Sequence, residues 1–566
     1  MSYNLLIFFS YYLIIIFSAL GYGLIFSKLI NKKIYYDNLG YIGLLGIYIL
    51  IFYSYLSNLF LAHSQIHNSI ILVAGLFFFI FFISKKFSKF KKEIIYCSII
   101  FLCLFISILL FKNHDDFTYY HFPYTYYLTQ HSFFFGVGEF NHGFRTPSSI
   151  FYINSLFYLP FIEYYLFNVS QVLILGFANI ILIKKIGFLF ISKIEKKKIN
   201  YINYLSLLSF IFINIFFYRI AEHGTDRSAQ ILIFLLIIEI FYLIELKKIK
   251  TENLFFIYLL IAIIISLKAF YVLYISLFIP LIILVYSQKK NIFISFNFLI
   301  LNKFFIIFSA SFVFVLFSYF TNTGCLIYPL SFTCFTNLSW SISNLEVQMM
   351  NNWYELWSKA GATPNFRVEN PNEYIKNFNW LTNWFDKYFF NKVLDFILGL
   401  IFLITIVIIF FKKNFFSKKT LPINNHSFLV YLIIFLLGLE WFFNHPALRY
   451  GGYSLIALLF FIPISLKLQT KKDDIKKYAN YSLILIFITS SIFIGRNINR
   501  IVKEIEIYKY EPFKKVFYFV DSNNFRIEQK MTKLLNDYNK CLKSNVNCSE
   551  IELKIKKING KIIFIK

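Results

Sequence analysis

The chain has 566 residues, 58% of them hydrophobic and 15% charged, with a mean hydropathy of +0.63. This composition excludes a disordered chain, and the long apolar runs exclude an ordinary soluble domain. The 56 Lys+Arg against 29 Asp+Glu leave a formal charge of +27. In a soluble protein such an excess points to nucleic acid; in a polytopic membrane protein it marks cytoplasmic loops, and no nucleic-acid partner is expected.

A transmembrane helix needs about 20 apolar residues. In chain order the expected spans are 5–26, 39–62, 69–83, 94–111, 161–183, 201–218, 229–246, 254–267, 269–286, 304–320, 393–411, 428–443, 453–466 and 479–494, fourteen in all. The first lacks a basic start and a small-residue cleavage site, so it reads as a span rather than a signal peptide. Only Lys268 interrupts 254–286, which is read as two spans. Alternate loops, such as 85–92, 184–198 and 467–477, are rich in Lys; seven of them hold 29 Lys, against 11 Lys+Arg in the other set. The positive-inside rule places the Lys-rich set in the cytoplasm. Both termini and the two long loops, 112–149 and 321–392, then share the outer face. The expected division is 1–93 as N-terminal helices, 94–494 as a core with the large loops, and 495–566 as an extracytoplasmic domain with short strands near 516–520 and 561–565.

The 76 Phe and 42 Tyr have AT-rich codons, like the abundant Ile, Lys and Asn. Aromatic stripes are therefore assigned no function. Arg is more informative: all eight, at 145, 219, 227, 367, 449, 496, 500 and 526, fall on the outer face in this topology. Their planar fork suits an anionic ligand such as a phosphate.

The first outer loop places His114, Asp115, Asp116 and His121 at the exit of the fourth expected span, with His131, Glu139, His142 and Arg145 beyond. Adjacent carboxylates there could be a solvated helix end, a general base for a sugar hydroxyl, or, with His114 and His121, ligands of a divalent metal. The apolar run 147–160 is too short to span and suits a helix lying at the interface. A short outer loop carries Arg219, Glu222, His223, Asp226 and Arg227, where Asp226 either caps the next helix or belongs to a site. A third presents His445 and Arg449. The 321–392 loop holds Tyr328 and five of the six Trp, at 340, 353, 357, 380 and 384, as interfacial anchors or as platforms for sugar rings. Cys325 and Cys334 share this loop, and Cys541 and Cys548 share the tail. Pairing on an oxidising face points to two disulfides. No Walker A loop, G-x-S-x-G, H-E-x-x-H or C-x-x-C is present.

Taken in order and on one face, four pieces give a likeness. They are Asp115-Asp116-Phe-Thr-Tyr-Tyr-His121, Gly224-Thr225-Asp226 before a span, Gly324-Cys-Leu-Ile-Tyr-Pro329 with the Trp-rich stretch after it, and Leu448-Arg449-Tyr450. Through most of residues 90–460 the chain resembles the GT-C class of integral membrane glycosyltransferases, and bacterial envelope proteins of that type. The resemblance implies a multi-pass protein of the bacterial inner membrane whose active face is extracytoplasmic. It implies a polyprenyl-phosphate sugar as donor and an envelope glycan or lipid as acceptor. Asp116 or Asp115 would be the base, Asp116 preferred, and Arg449 or Arg145 would meet the donor phosphate. His121, Asp226, Arg227 and Tyr328 would complete the substrate site; some members of the class use a divalent metal. The chain departs from the class in that its acidic loop follows the fourth expected span rather than the first, and Ala447-Leu448 precede Arg449 where an acid is common. Two other readings remain: a polysaccharide polymerase or O-antigen ligase, whose outer loops rely more on basic residues, and a lipid or glycan transporter, for which Glu239 and Glu440 lie within spans.

Overall fold

A computed structural model describes residues 3–30, 38–85, 87–110, 114, 116–187, 199–222, 224–363, 366–417, 425–469, 475–509, 536, 540, 554–558 and 561–565. Asp115, His223, Arg526, Cys541, Cys548 and the strand expected near 516–520 lie outside these residues. The architecture is all-α and polytopic. Among the described residues ten helical segments are long and apolar enough to cross a membrane, and Tyr201–Phe216, Thr251–Leu267 and Gly452–Leu468 are shorter apolar helices. Helices are the expected solution, because backbone groups in hydrocarbon must be satisfied within their own segment.

Helices α1 (Tyr3–Ile30), α2 (Leu39–Asn58) and α3 (Gln65–Ser84) form the first packed group. They approach through glycine: a Cβ at Gly46 would overlap the Ala19 carbonyl oxygen, and one at Gly75 would overlap the Ser18 hydroxyl. Such small-residue crossings let backbones meet where hydrocarbon gives no hydrophobic drive between helices. Helix α4 (Phe87–Phe105) leads into the first large loop, built by α5 (Phe122–Gln130), α6 (Val137–Phe140) and α7 (Ser149–Ser155). The central group is α8 (Val169–Ile186), α9 (Tyr201–Phe216), α10 (Thr225–Ile244) and α11 (Phe255–Leu267), buried along most of its length. An Asn200–Asn203 capping box starts α9.

After α11 the backbone is extended at Lys268 and then runs as a 3₁₀ helix, Ala269–Leu277, into α12 (Phe278–Lys289). The Ile249 N–H donates to Gln288 Oε1 at 3.0 Å, so the chain has returned to the level at which it started. Helices α13 (Ile292–Ile300) and α14 (Lys303–Thr323) follow, and Gly324 closes α14 at φ +75°. The second large loop contains α15 (Asn344–Ser358), strands β1 (Ala362–Thr363) and β2 (Phe366–Arg367), α16 (Pro371–Tyr374) and α17 (Leu381–Trp384). A π-helical stretch, Phe385–Val393, feeds α18 (Leu394–Phe410); α19 (Lys412–Phe415), α20 (Asn425–Asn444), α21 (Gly452–Leu468) and α22 (Ile475–Tyr508) complete the helices. Strands β3 (Lys554–Ile558) and β4 (Lys561–Ile565) form an antiparallel hairpin.

Contacts sort the loops into two ends. At one end, Lys184 pairs with Glu93 at 2.9 Å and Lys185 with Glu239 at 2.7 Å, while Asn414 donates to Tyr204. At the other, the two large loops, the α9–α10 turn, the α20–α21 turn and β4 all touch, through the contacts described below.

Three expectations are corrected. The stretch 147–160 is not a helix lying on the interface: α7 is buried between α2, α5, α8 and α11. Its polar groups are satisfied inside, Ser148 by the Leu267 carbonyl at 2.6 Å and Ser155 by His63 at 2.6 Å. The segment expected as 161–183 becomes helical only at Val169, because Leu159 and Glu163 close a tight turn. The boundary at 495 falls inside α22, which runs unbroken for 34 residues. At 1.5 Å per residue it is about 50 Å long and overshoots a 30 Å hydrocarbon core. The β4 strand does occupy the expected 561–565.

Gly46→Leu is expected to abolish the monodisperse peak in size-exclusion chromatography of detergent-solubilised protein. Gly495→Ala, with nothing within 4 Å of its Cβ position, is expected to leave that peak unchanged.

Candidate functional site

The site is assembled where α4, the α9–α10 turn, the α11 break and the α20–α21 turn meet. Asp116 opens a π-helical turn, Phe117–His121, that leads into α5. Its N–H donates to His114 Nδ1 at 3.2 Å, and its Oδ2 lies 3.4 Å from the same nitrogen. Across a gap of 3.5 Å, Asp116 Oδ2 faces Arg449 Nη1. Both residues are partly exposed, at 34% and 43% of their side-chain surface, so the pair is open to an incoming molecule.

Arg449 sits on a short 3₁₀ turn, Leu448–Tyr450, whose backbone is pinned by side chains from several elements. Tyr388 hydroxyl accepts from the Leu448 N–H at 2.9 Å, and Gln230 donates to the Arg449 carbonyl at 3.0 Å. Trp441 donates to the Ala447 carbonyl at 2.9 Å and Trp384 to the Pro446 carbonyl at 3.1 Å. The guanidinium donates to the Tyr450 hydroxyl at 2.9 Å. Tyr450, Asp226 and Asp116 together hold Arg449 protonated above its usual range, against the opposing effect of burial.

Lys268, at the break after α11, brings a second cation. Its Nζ meets Asp226 Oδ1 at 2.5 Å and lies 4.5 Å from the centre of the Tyr450 ring. Asp226 stands in the first turn of α10, where the helix dipole favours a negative charge. The site thus balances Arg449 and Lys268 against Asp116 and Asp226. His121 lies among them: burial lowers its pKa to about 4, with the Asp116 and Asp226 carboxylates opposing. Its Nε2 is buried and has no hydrogen-bond partner among the described residues, as is also true of His445 Nδ1. Burial lowers His445 to about 4 as well, with Lys359 and Lys268 adding to the shift. Buried polar atoms are normally paired, so two imidazole nitrogens without a protein partner beside one charge cluster are places where a polar group of a bound molecule would be satisfied.

Arg145 is brought elsewhere. It is 3% exposed and lies between two carboxylates, Glu346 at 2.8 Å and Glu139 at 3.6 Å. Its Nε donates to the Gly138 carbonyl at 2.8 Å and Nη1 reaches the Tyr328 hydroxyl at 3.5 Å. With two acids already on it, this guanidinium joins the two large loops. Tyr328 belongs to the loop closed by the Cys325–Cys334 disulfide. Arg227 is partly buried and packs its guanidinium 5.6 Å over Phe217, with Nη1 buried and unpartnered. Trp380 and Trp384 are buried and donate to backbone carbonyls, so they are packing residues; Trp353 and Trp357 remain half-exposed, 6.1 Å apart on α15. Glu239 is engaged by Lys185 and Tyr41 at the opposite end of the protein, and Glu440 accepts from Asn444.

Among the described residues no three His, Cys, Asp or Glu side chains converge as a metal shell, so His114 and His121 do not form one with Asp116. Sequence reading missed Lys268 and His445 as site members. A lone Lys in 30 apolar residues was the available signal for the first.

The buried imidazoles make stability depend on pH. His63 is lowered to about 3, and His121, His131 and His445 to about 4, each chiefly by burial. A histidine whose folded pKa is depressed binds its proton more readily when unfolded, so stability is complete above about pH 6.5 and falls as pH drops toward 4. Thermal unfolding of solubilised protein is expected to show a Tm that declines between pH 6.5 and 4. In His131→Gln that decline should be shallower; an equal slope would remove His131 from the account.

No curated protein and no solved structure matches the chain. A family model described as a domain of unknown function, DUF8201, matches residues 5–456, and the chain belongs to that family.

Proposed function

We propose that the protein is an integral membrane glycosyltransferase of the GT-C type. It moves a sugar from a polyprenyl-phosphate donor to an envelope glycan or lipid acceptor on the outer face of a bacterial inner membrane. In this reading the chain crosses fourteen times: the ten full-length segments, the three shorter apolar helices and α4. The observation that carries it is the open Asp116–Arg449 pair, with Lys268 and two unpartnered imidazole nitrogens around it.

The chemistry follows from the charges. An acceptor hydroxyl must lose a proton as its oxygen bonds to the anomeric carbon, while the bond from that carbon to the phosphate oxygen breaks and the phosphate keeps the electron pair. A carboxylate within reach supplies general-base catalysis, and preorganised cations stabilise the charge that develops on the leaving group. Arg449 faces Asp116 across 3.5 Å. A phosphate that takes over the guanidinium would release the carboxylate to serve as base, so donor binding itself arms Asp116. His121 and His445, neutral near pH 7 because burial lowers them to about 4, each offer one donor and one acceptor nitrogen, which suits sugar hydroxyls. Arg145 is left out of phosphate binding here, because Glu139 and Glu346 already neutralise it.

The test is sugar transfer in proteoliposomes from a panel of polyprenyl-phosphate sugars. Asp116→Asn is expected to lower the rate by about 10²–10⁴-fold while keeping donor binding. Arg449→Gln is expected to weaken donor binding. Full transfer by both Asp115→Asn and Asp116→Asn would remove the carboxylate from the mechanism.

A further inference from the structure

A second feature lies away from this site. Between α4, α8, α9 and α22 there is a cavity of about 280 Å³, lined by Tyr96, Ile99, Cys103, Phe210, Ser490 and Phe493 among others. It shares no lining residue with the Asp116–Arg449 site. Its lining is mostly apolar, with Tyr96 and Ser490 as hydroxyl-bearing members, while Asn179 and Asn214 satisfy each other through two amide hydrogen bonds of 3.0 and 2.8 Å. The lining runs from the middle of α22, at Ile486 and Ser490, to Phe493, and on α9 it reaches Asn214, two residues from the end of that helix. Ile99, on the lining, is 51% exposed on the outside of the bundle, so the cavity borders the hydrocarbon.

Directly beyond the outer end of this cavity is a group of arginines. Arg496 and Arg500 continue α22 by one and two turns past Phe493, about 5 and 10 Å at 1.5 Å per residue. The headgroup layer on each side of a hydrocarbon core is about 5–8 Å thick, so these side chains are at phosphate level. Arg219 joins them from the end of α9. Glu222, buried, accepts from Arg219 and is ion-paired with Arg500, and Glu504 lies 3.9 Å from Arg500. Among the described residues that leaves Arg496 with no carboxylate. It makes one hydrogen bond, to the Ile215 carbonyl at 2.7 Å, and its guanidinium lies flat enough on Tyr218 to sit 3.6 Å from the ring centre. One acceptor for five donors leaves most of the fork available, and the ring fixes its direction.

We propose that this cavity and Arg496 form a binding site for one anionic phospholipid of the outer leaflet, with an acyl chain in the cavity and the phosphate on Arg496. A mostly apolar crevice at membrane depth suits a lipid chain, since an ordered water needs about two to four polar partners and the two lining amides are occupied with each other. The charge above it is complementary to a phosphodiester, with three arginines over two carboxylates. The apolar part and the cationic part are joined by one rigid helix.

The test uses full-length protein in mild detergent, with dioleoyl phosphatidylglycerol, dioleoyl phosphatidylcholine and an undecaprenyl phosphate as probes, read by native mass spectrometry and by thermal shift. Wild type is expected to retain one phosphatidylglycerol and to gain more Tm from it than from phosphatidylcholine. Arg496→Gln is expected to weaken phosphatidylglycerol binding by at least about tenfold, the scale of one charge-assisted contact, and to erase the preference between the two phospholipids. Ile99→Trp, placed on the exposed side of the cavity, and Ser490→Trp, placed inside it, are expected to weaken both phospholipids while Arg496 is intact. If Ser490→Trp does not fold, Ile99→Trp carries this arm. Equal binding of the two phospholipids with no effect of Arg496→Gln would make Arg496 an unselective interfacial anchor and overturn the proposal. Displacement of phosphatidylglycerol by lower concentrations of undecaprenyl phosphate would also overturn it, by giving the cavity to an isoprenoid. Neither readout depends on sugar transfer.

Discussion

The end of the protein that carries the two large loops depends on one buried guanidinium. Arg145, from the first large loop, is held by Glu139 of the same loop and Glu346 of the second, with the Gly138 carbonyl and the Tyr328 hydroxyl completing its partners. Removing one partner of a buried ion pair costs about 3–5 kcal/mol, because it strands the other charge. The arrangement therefore acts as a latch rather than as a source of net stability. Around it the loops add neutral bonds: Gly136 N–H to the Thr321 carbonyl, and Asn322 to Tyr124 and the Phe144 carbonyl. With the two loops fixed to each other, Tyr119 feels both Arg145 and Asp116, and Tyr354 feels Arg145 and Tyr450. The latch sets the wall of the site without entering it.

A second constraint is electrostatic balance in a partly dry place. Arg449 and Lys268 oppose Asp116 and Asp226 within one cluster, and each cation also lies against the Tyr450 ring. Three of these charges sit on fixed elements. Asp226 is in a helical first turn, Lys268 is at a break between two helical segments, and Arg449 is on a turn pinned at successive residues. Fixed charges of this kind need little reorganisation when a phosphate arrives.

Much of the fold was legible because hydropathy is written along one dimension. A helix stands on every apolar stretch, and Lys268 does separate two helical segments. What a segment packs against is not written that way. The run 147–160 has the composition of an interfacial helix, yet α7 is buried because Leu267, Ser266 and His63 are there to satisfy its serines. The same limit applies to the site. Asp116 and Arg449 stood out because acids are scarce and Arg is rare, and they lie together. Arg145 and Tyr328 stood out for the same reasons, but their partners decide their place, and Glu346 comes from 201 residues away in sequence. The tryptophans show it again: clustering marked all five, whereas only packing separates buried Trp380 and Trp384 from the half-exposed Trp353 and Trp357.

The β4 strand gives this architecture a timetable. Phe564 N–H donates to the Phe135 carbonyl, and the Phe564 ring packs on Phe134 and Phe140. Gly136 has no room for a Cβ because the Phe564 carbonyl is already there. The strand that seals the first loop is made roughly 430 residues after the loop itself, an extreme of sequence separation. During synthesis from the N-terminus the ring-lined surface of Phe134 and Phe140 thus waits, uncovered, through every later membrane crossing. A chaperone or a neighbouring chain that touches this patch meets only unfinished molecules, and finished ones present the hairpin instead.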